Sequence, residues 1–186
     1  MALTPSTMLP LGTRAPAFDL PVAGGRSPHV ALGERLALDD LAGADALVVL
    51  FTCNHCPYAV AVEERTQALA RAHAGVAFVA ISSNDVAAYP QDGFEAMRAR
   101  AVDWPYPYLY DESQDVARAY DAACTPDYYL FDRDRRLVYR GRLDDGTPGR
   151  AATTTDLADA LDALARTGTV PGEQVPSMGC NIKWRS

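Results

Sequence analysis

The chain has 186 residues, 48% of them hydrophobic, and a net charge of −7. That length suits one packed core and is too short to argue for two, so a single domain over residues 1–186 is expected. The acids are scattered and the arginines stand among acids, as in Asp132-Arg133-Asp134-Arg135-Arg136; such a surface repels phosphate backbones and anionic lipid, which argues against nucleic acid or membrane partners.

The N-terminus, Met1 to Pro10, has neither a basic start nor a continuous apolar run, so it does not read as a signal peptide. No segment approaches the ~20 apolar residues that span a bilayer, and a cytoplasmic location is the expectation. Residues 1–30 are expected to be an extended or edge segment, because the short apolar entry Leu11 to Pro21 is bounded by prolines. Ala46-Leu47-Val48-Val49-Leu50-Phe51 is continuously apolar and rich in strand formers, as a strand buried on both faces should be. Cys53 and Cys56 follow, and Tyr58 to His73 then carries a helical pattern.

Val76 to Ile81 is a second buried strand, followed by a polar loop, Ser82 to Asp85, and a helix from about Gly93 to Ala101. Leu109-Tyr110 sits on a short strand, and a helix runs from about Ser113 through Tyr120. Tyr128 to Phe131 and Leu137 to Tyr139 read as hairpin strands around a charged turn. Thr155-Asp156 can cap a last helix to about Arg166, and the Pro- and Gly-bearing tail, 167–186, is expected to be irregular. Alternating βα units followed by a hairpin and a helix imply an α/β fold with a central mixed sheet flanked by helices. The tyrosines at 106, 108, 110, 128 and 129 read as packing residues and receive no functional role.

Four cysteines are too few for a disulfide-stapled scaffold, and a close pair in a reducing compartment is catalytic or metal-binding. Two thiols separated by two residues at a strand-to-helix junction can close a small disulfide ring. At the helix N-terminus the positive dipole end favours a thiolate, which makes Cys53 the expected nucleophile. Cys56, one turn into the helix, is the expected resolving thiol. His55 lies between them and is a candidate for tuning the Cys53 thiolate, against a solvent-facing spacer as the plainer reading. A structural zinc site would need two more ligands at short spacing; Cys124 and Cys180 are isolated and His29, His55 and His73 form no second pair, so no metal is expected.

With Cys-x-x-Cys-Pro after an apolar strand, Thr125-Pro126 before a later strand, and the entry Arg14-Ala15-Pro16-Ala17-Phe18-Asp19-Leu20-Pro21, the chain resembles the thioredoxin superfamily over nearly its whole length. The entry resembles that of peroxiredoxins and of cytochrome-maturation thioredoxins. Phe51 to Pro57, Ser82 to Asp85, Cys124 to Asp127 and Gly179 to Trp184 are similar to peroxiredoxin-like bacterial members (AhpC/TSA type) called thiol-disulfide isomerases. The resemblance implies a thioredoxin-like fold with an extra βα unit between the Cys-x-x-Cys helix and the proline strand. It implies that Pro126 is a cis-proline facing the cysteine pair, with Thr125 and Pro126 binding substrate; from sequence alone Pro126 could equally be an ordinary trans turn.

The function implied is thiol-disulfide oxidoreduction with no cofactor beyond the redox-active Cys53–Cys56 disulfide, acting on protein or small-molecule thiols and disulfides with an external electron donor. Two alternatives stand beside it: a peroxiredoxin-like thiol peroxidase, and a copper or zinc carrier using Cys53, Cys56 and His55. The stretch Ala46 to Thr52 lacks the proline that precedes a peroxidatic cysteine, and it lacks thioredoxin's buried acid, so the proton acceptor for Cys56 is unassigned. Cys124 and Cys180 are candidate auxiliary thiols, or else a buried small hydrophobe and an adventitious tail thiol. Ile182 and Trp184 are expected to pin the tail to the body.

Overall fold

The computed structural model describes residues 3–185. These residues form ten strands and four α-helices: β1 (Leu3–Pro5), β2 (Asp19–Gly24), β3 (Arg35–Ala37), β4 (Ala46–Phe51), α1 (Pro57–Ala72), β5 (Val76–Ser82), α2 (Phe94–Arg100), β6 (Tyr108–Tyr110), α3 (Asp115–Ala119), β7 (Cys124–Thr125), β8 (Asp127–Phe131), β9 (Leu137–Gly141), α4 (Asp156–Thr167) and β10 (Met178–Asn181). Seven strands make a mixed sheet in the order β3-β2-β6-β5-β4-β8-β9. In it β4 runs parallel to β5 and antiparallel to β8. This is the thioredoxin-like arrangement, and two βα units, β5–α2 and β6–α3, fill the interval between α1 and the proline strand.

β4 lies in the middle because both of its faces are apolar. Val48 and Leu50 point into a core shared with α1, α2 and α4, while Leu47, Val49 and Phe51 point into a second core under α3. The period-2 alternation of a strand delivers one side chain to each face in turn. Tyr106, Tyr108, Tyr110, Tyr128 and Tyr129 are all buried in these cores, as packing residues should be.

Three expectations change. β2 is not an edge strand: it lies between β3 and β6, and β6 pairs only from Val22 onward, so Pro21 falls where that side of β2 is open and its missing N–H is not needed. At the start of α4 the Thr155 hydroxyl makes no cap bond and donates instead to Asp159 Oδ1 at 3.0 Å. The tail is not irregular throughout. Its residues 178–181 form β10, which pairs antiparallel with β1 on one side and β7 on the other. Met1, Ala2 and Ser186 lie outside the described residues, and no helix among those described is long and apolar enough to cross a membrane.

Candidate active site

β4 ends at Phe51 and α1 begins at Pro57, so the intervening Thr52 to Cys56 turn holds the cysteines at the C-terminal end of an inner strand of the sheet. Proline at the first helical position costs nothing, since its N–H would have no partner there. Cys56, not Cys53, is the N-cap: its carbonyl accepts from Val60 N–H at 3.0 Å. The helix's positive end therefore acts first on Cys56, which is not one turn into the helix. Both thiols are buried, and Cys53 retains 4% exposure against none for Cys56. All four cysteines are free thiols here.

The Thr125–Pro126 peptide is cis, and Thr125 touches both sulfurs. Its hydroxyl lies 3.4 Å from Cys53 Sγ, and its carbonyl oxygen lies 3.1 Å from Cys56 Sγ, where it accepts from that thiol whenever Cys56 carries a proton. Cys180 completes a packed trio with Cys53 and Cys56 over Ala59. Cys124 faces the other way along β7, toward the Pro126 carbonyl at 3.8 Å, and burial pushes its thiol far up. The structure thus brings Cys180 into the site and leaves Cys124 as a buried small hydrophobe.

The two pair thiols are linked by a hydrogen bond that shifts them in opposite directions. The hydrogen bond between them raises Cys53 far above the ordinary thiol range, with burial and the nearby Asp92 charge adding to it. Cys56 is lowered to about 4, first by the same hydrogen bond and then by donors from Cys180 and Ala59, against burial. Of the two, Cys56 is therefore the thiol whose ionisation is favoured, and the helix N-terminus acts in the same direction.

Sequence reading missed Asp92. This carboxylate is fully buried beside the pair and accepts four bonds: Asn54 N–H at 2.7 Å, His55 N–H at 3.3 Å, His55 Nδ1 at 2.5 Å and Asn84 Nδ2 at 2.8 Å. His55 is thus not a solvent-facing spacer. It is held by Asp92 and stacked on Tyr89 at 5.0 Å. Nothing local marks Asp92, because its partners lie 8 to 38 positions away. Cys53, His55 and Asp92 place ligand atoms within 4.8 Å of one another, yet the Asp92 oxygens are already engaged by four donors, so a cation would have to displace the bonds that shape the loop.

A buried acid exists after all, one strand over from where thioredoxin keeps it. Asp127 follows Pro126 and pairs with Phe51 across β8 and β4. Burial pushes its carboxyl up to about 7 in spite of bonds from Tyr129 and Ser6.

With this geometry in hand, a family model described as Redoxin matches residues 10–161. The chain belongs to the Redoxin family. It is a peroxiredoxin-like member of the thioredoxin superfamily. A solved uncharacterized conserved protein from Geobacillus kaustophilus is 46% identical over 100% of this chain and 97% of its own, with a TM-score of 0.90. A hypothetical protein from Sinorhizobium meliloti is 44% identical over 98% of this chain and 99% of its own, also at 0.90. The thioredoxin domain of a thiol-disulfide oxidoreductase from Bacteroides vulgatus shares the fold at 20% identity and a TM-score of 0.54, covering 71% of this chain and 88% of that one. No curated protein matches the chain. Redoxin membership assigns thiol-based redox chemistry, of the disulfide or peroxide kind.

Proposed function

We propose that this redoxin is a dithiol–disulfide oxidoreductase in which Cys53 is the nucleophile and Cys56 the resolving thiol. The observation that carries the reading is geometric: two free, buried thiols side by side at a helix N-terminus, both touched by the residue before cis-Pro126. As the less enclosed sulfur, Cys53 meets a substrate disulfide RS–SR′, and the Cys56 thiolate accepts its proton. The new Cys53–S–SR′ bond forms as RS⁻ leaves. Cys56 then returns its proton to the departing thiolate and attacks Cys53 Sγ, releasing R′S⁻ and leaving a Cys53–Cys56 disulfide. The substrate is reduced, the pair is oxidised, and an external dithiol restores it. The pair is the only redox group the cycle needs, so no cofactor is called for.

Helix N-terminal donors also serve the resolving step. Thioredoxin uses a buried acid there; in this chain the Ala59 N–H and the thiol and N–H of Cys180 stabilise the Cys56 thiolate after Cys53 has entered the mixed disulfide with substrate. Asn54 and His55 are anchored on Asp92, which fixes the loop that presents Cys53. Reduction of a small disulfide with dithiothreitol as electron source tests the reading: Cys53→Ser should abolish turnover, and undiminished activity in that variant overturns it. Family membership supports a second reading, thiol peroxidase through the same Cys53. Rapid, saturable consumption of hydrogen peroxide marks that chemistry, and thiol oxidation no faster than that of free cysteine excludes it.

A further inference from the structure

In a thioredoxin-like site the backbone beside the cis-proline is where an extended peptide pairs. Here that edge is taken. β10 runs antiparallel to β7 with Cys180 opposite Thr125 and Asn181 opposite Cys124, and β1 closes its other side with Leu3 opposite Cys180. β10 is therefore the middle strand of a three-stranded sheet, and a middle strand does not peel away as an edge flap would. Gly179 allows the approach: a Cβ there would sit 1.9 Å from the Thr125 carbonyl oxygen. Beyond Cys180 the tail is fastened by Ile182 N–H to the Ala123 carbonyl at 3.0 Å and Lys183 N–H to Asn84 Oδ1 at 2.8 Å, and Ile182 is buried.

What the tail brings to this edge is a third sulfur. Cys180 is buried against Cys53 and Cys56, and its thiol and backbone N–H both lie within hydrogen-bonding reach of Cys56 Sγ. Cys56 thus lies between two thiols rather than beside one. We propose that Cys180 is a third redox thiol of this site, held by β10 in the position of a substrate's cysteine, and that the site consequently acts on small disulfides rather than on extended peptides. The proposal rests on the disulfide-exchange reading above.

The step is an intramolecular exchange. Once Cys53 and Cys56 are joined, the Cys180 sulfur attacks Cys56 Sγ, the Cys53–Cys56 bond breaks, and a Cys56–Cys180 bond forms. Cys53 leaves as the thiolate and takes up the proton that Cys180 has lost. No oxidant is consumed, the number of disulfides is unchanged, and Cys53 is again free to meet a second substrate. The order of events follows from the hydrogen bonding: while Cys56 is a thiolate it holds the Cys180 proton in place, and that hold ends when Cys56 enters a disulfide. A cleft of about 250 Å³ beside Pro126, walled by Tyr58, Val62, Leu143 and Met178, has room for a small molecule.

The full-length protein is equilibrated with a glutathione redox buffer, its remaining thiols are alkylated at low pH, and its disulfides are mapped by mass spectrometry. The expected result is a Cys56–Cys180 disulfide alongside Cys53–Cys56, with Cys53→Ser still joining Cys56 to Cys180. In Cys180→Ser, and in Cys180→Ala as its check, the oxidised protein should hold Cys53–Cys56 alone, with the Cys53 that the exchange frees in the wild type now protected from alkylation. The wild type should reduce hydroxyethyl disulfide at least about tenfold faster than a disulfide-linked extended peptide, since the pairing edge is filled. Cys53–Cys56 alone in the wild type, with Cys180 always alkylated, overturns the third thiol and leaves the disulfide-exchange reading intact. Equal rates on the two substrates overturn the small-disulfide assignment. If no Cys53–Cys56 bond forms and Cys53→Ser retains activity, it is the underlying reading that fails, and the proposal with it.

Discussion

Replacing Asp127 by Asn gives a sharp test of the electrostatics around the cis-proline. Asp127 is fully buried, and in the folded chain its carboxyl is pushed up to about 7 from an ordinary value of 3.8, chiefly by burial. Because the folded state holds this proton more tightly than the unfolded one, the group weakens folding as pH rises: the penalty is absent below about pH 4, grows between about pH 4 and 7, and is complete above. The upward shift, at about 1.4 kcal/mol for each pH unit, sets the full penalty at about 4 kcal/mol. Asn cannot ionise, keeps an acceptor for Tyr129 and Ser6, and loses the penalty. Urea denaturation in reducing buffer from about pH 4 to 8 reads it directly: the variant should gain on the wild type by about 4 kcal/mol across that window. Parallel profiles for the two proteins would refute a buried, proton-holding carboxyl at this position.

Other outcomes follow from the same geometry. Asp92→Ala strands the part-buried N–H of Asn54 and the buried amide of Asn84 and frees His55, and should cost about 3–5 kcal/mol in denaturant unfolding; a cost under about 1 kcal/mol contradicts the anchoring role. Gly179→Ala drives a Cβ into the Thr125 carbonyl, so it should destabilise by about 2 kcal/mol or more and speed alkylation of Cys180; an unchanged alkylation rate would mean β10 is not pressed on β7. Ultraviolet absorbance of the reduced protein should show one thiolate that disappears as pH falls through about 4. Cys56→Ser should lose that transition and Cys180→Ser should move it upward; a transition kept in Cys56→Ser would place the thiolate elsewhere.

Much of this could be read from the sequence where the signal was local. The run Ala46 to Phe51 announces a strand buried on both faces, and the cysteine pair directly after it could hardly lie anywhere but at a strand-to-helix junction. The site's less local parts were hidden. β10 is four residues long, contains a glycine and sits in a segment rich in turn formers, so its strand character comes wholly from pairing with β1 and β7. Asp92 looks like any loop acid until the fold carries it under Asn54 and His55. Asp127 was visible in the motif Cys124 to Asp127, but its partner Phe51 is met only through the antiparallel register of β8 on β4. The N-cap also moved by three residues, which shifted the stabilised thiolate from Cys53 to Cys56; a strand-to-helix junction does not by itself say which residue makes the first helical bond.

The central claim is that Cys53 and Cys56 form a reversible redox couple. An equilibrium titration of the full-length protein in glutathione buffers of graded potential, read by mass after alkylation, tests it most directly. A cooperative two-electron transition is expected in which Cys53 becomes protected from alkylation together with Cys56, and which is lost in Cys53→Ser as far as the Cys53–Cys56 bond is concerned. A protein whose Cys53 remains fully alkylatable at every potential, while the glutathione couple itself is oxidised, would contradict it.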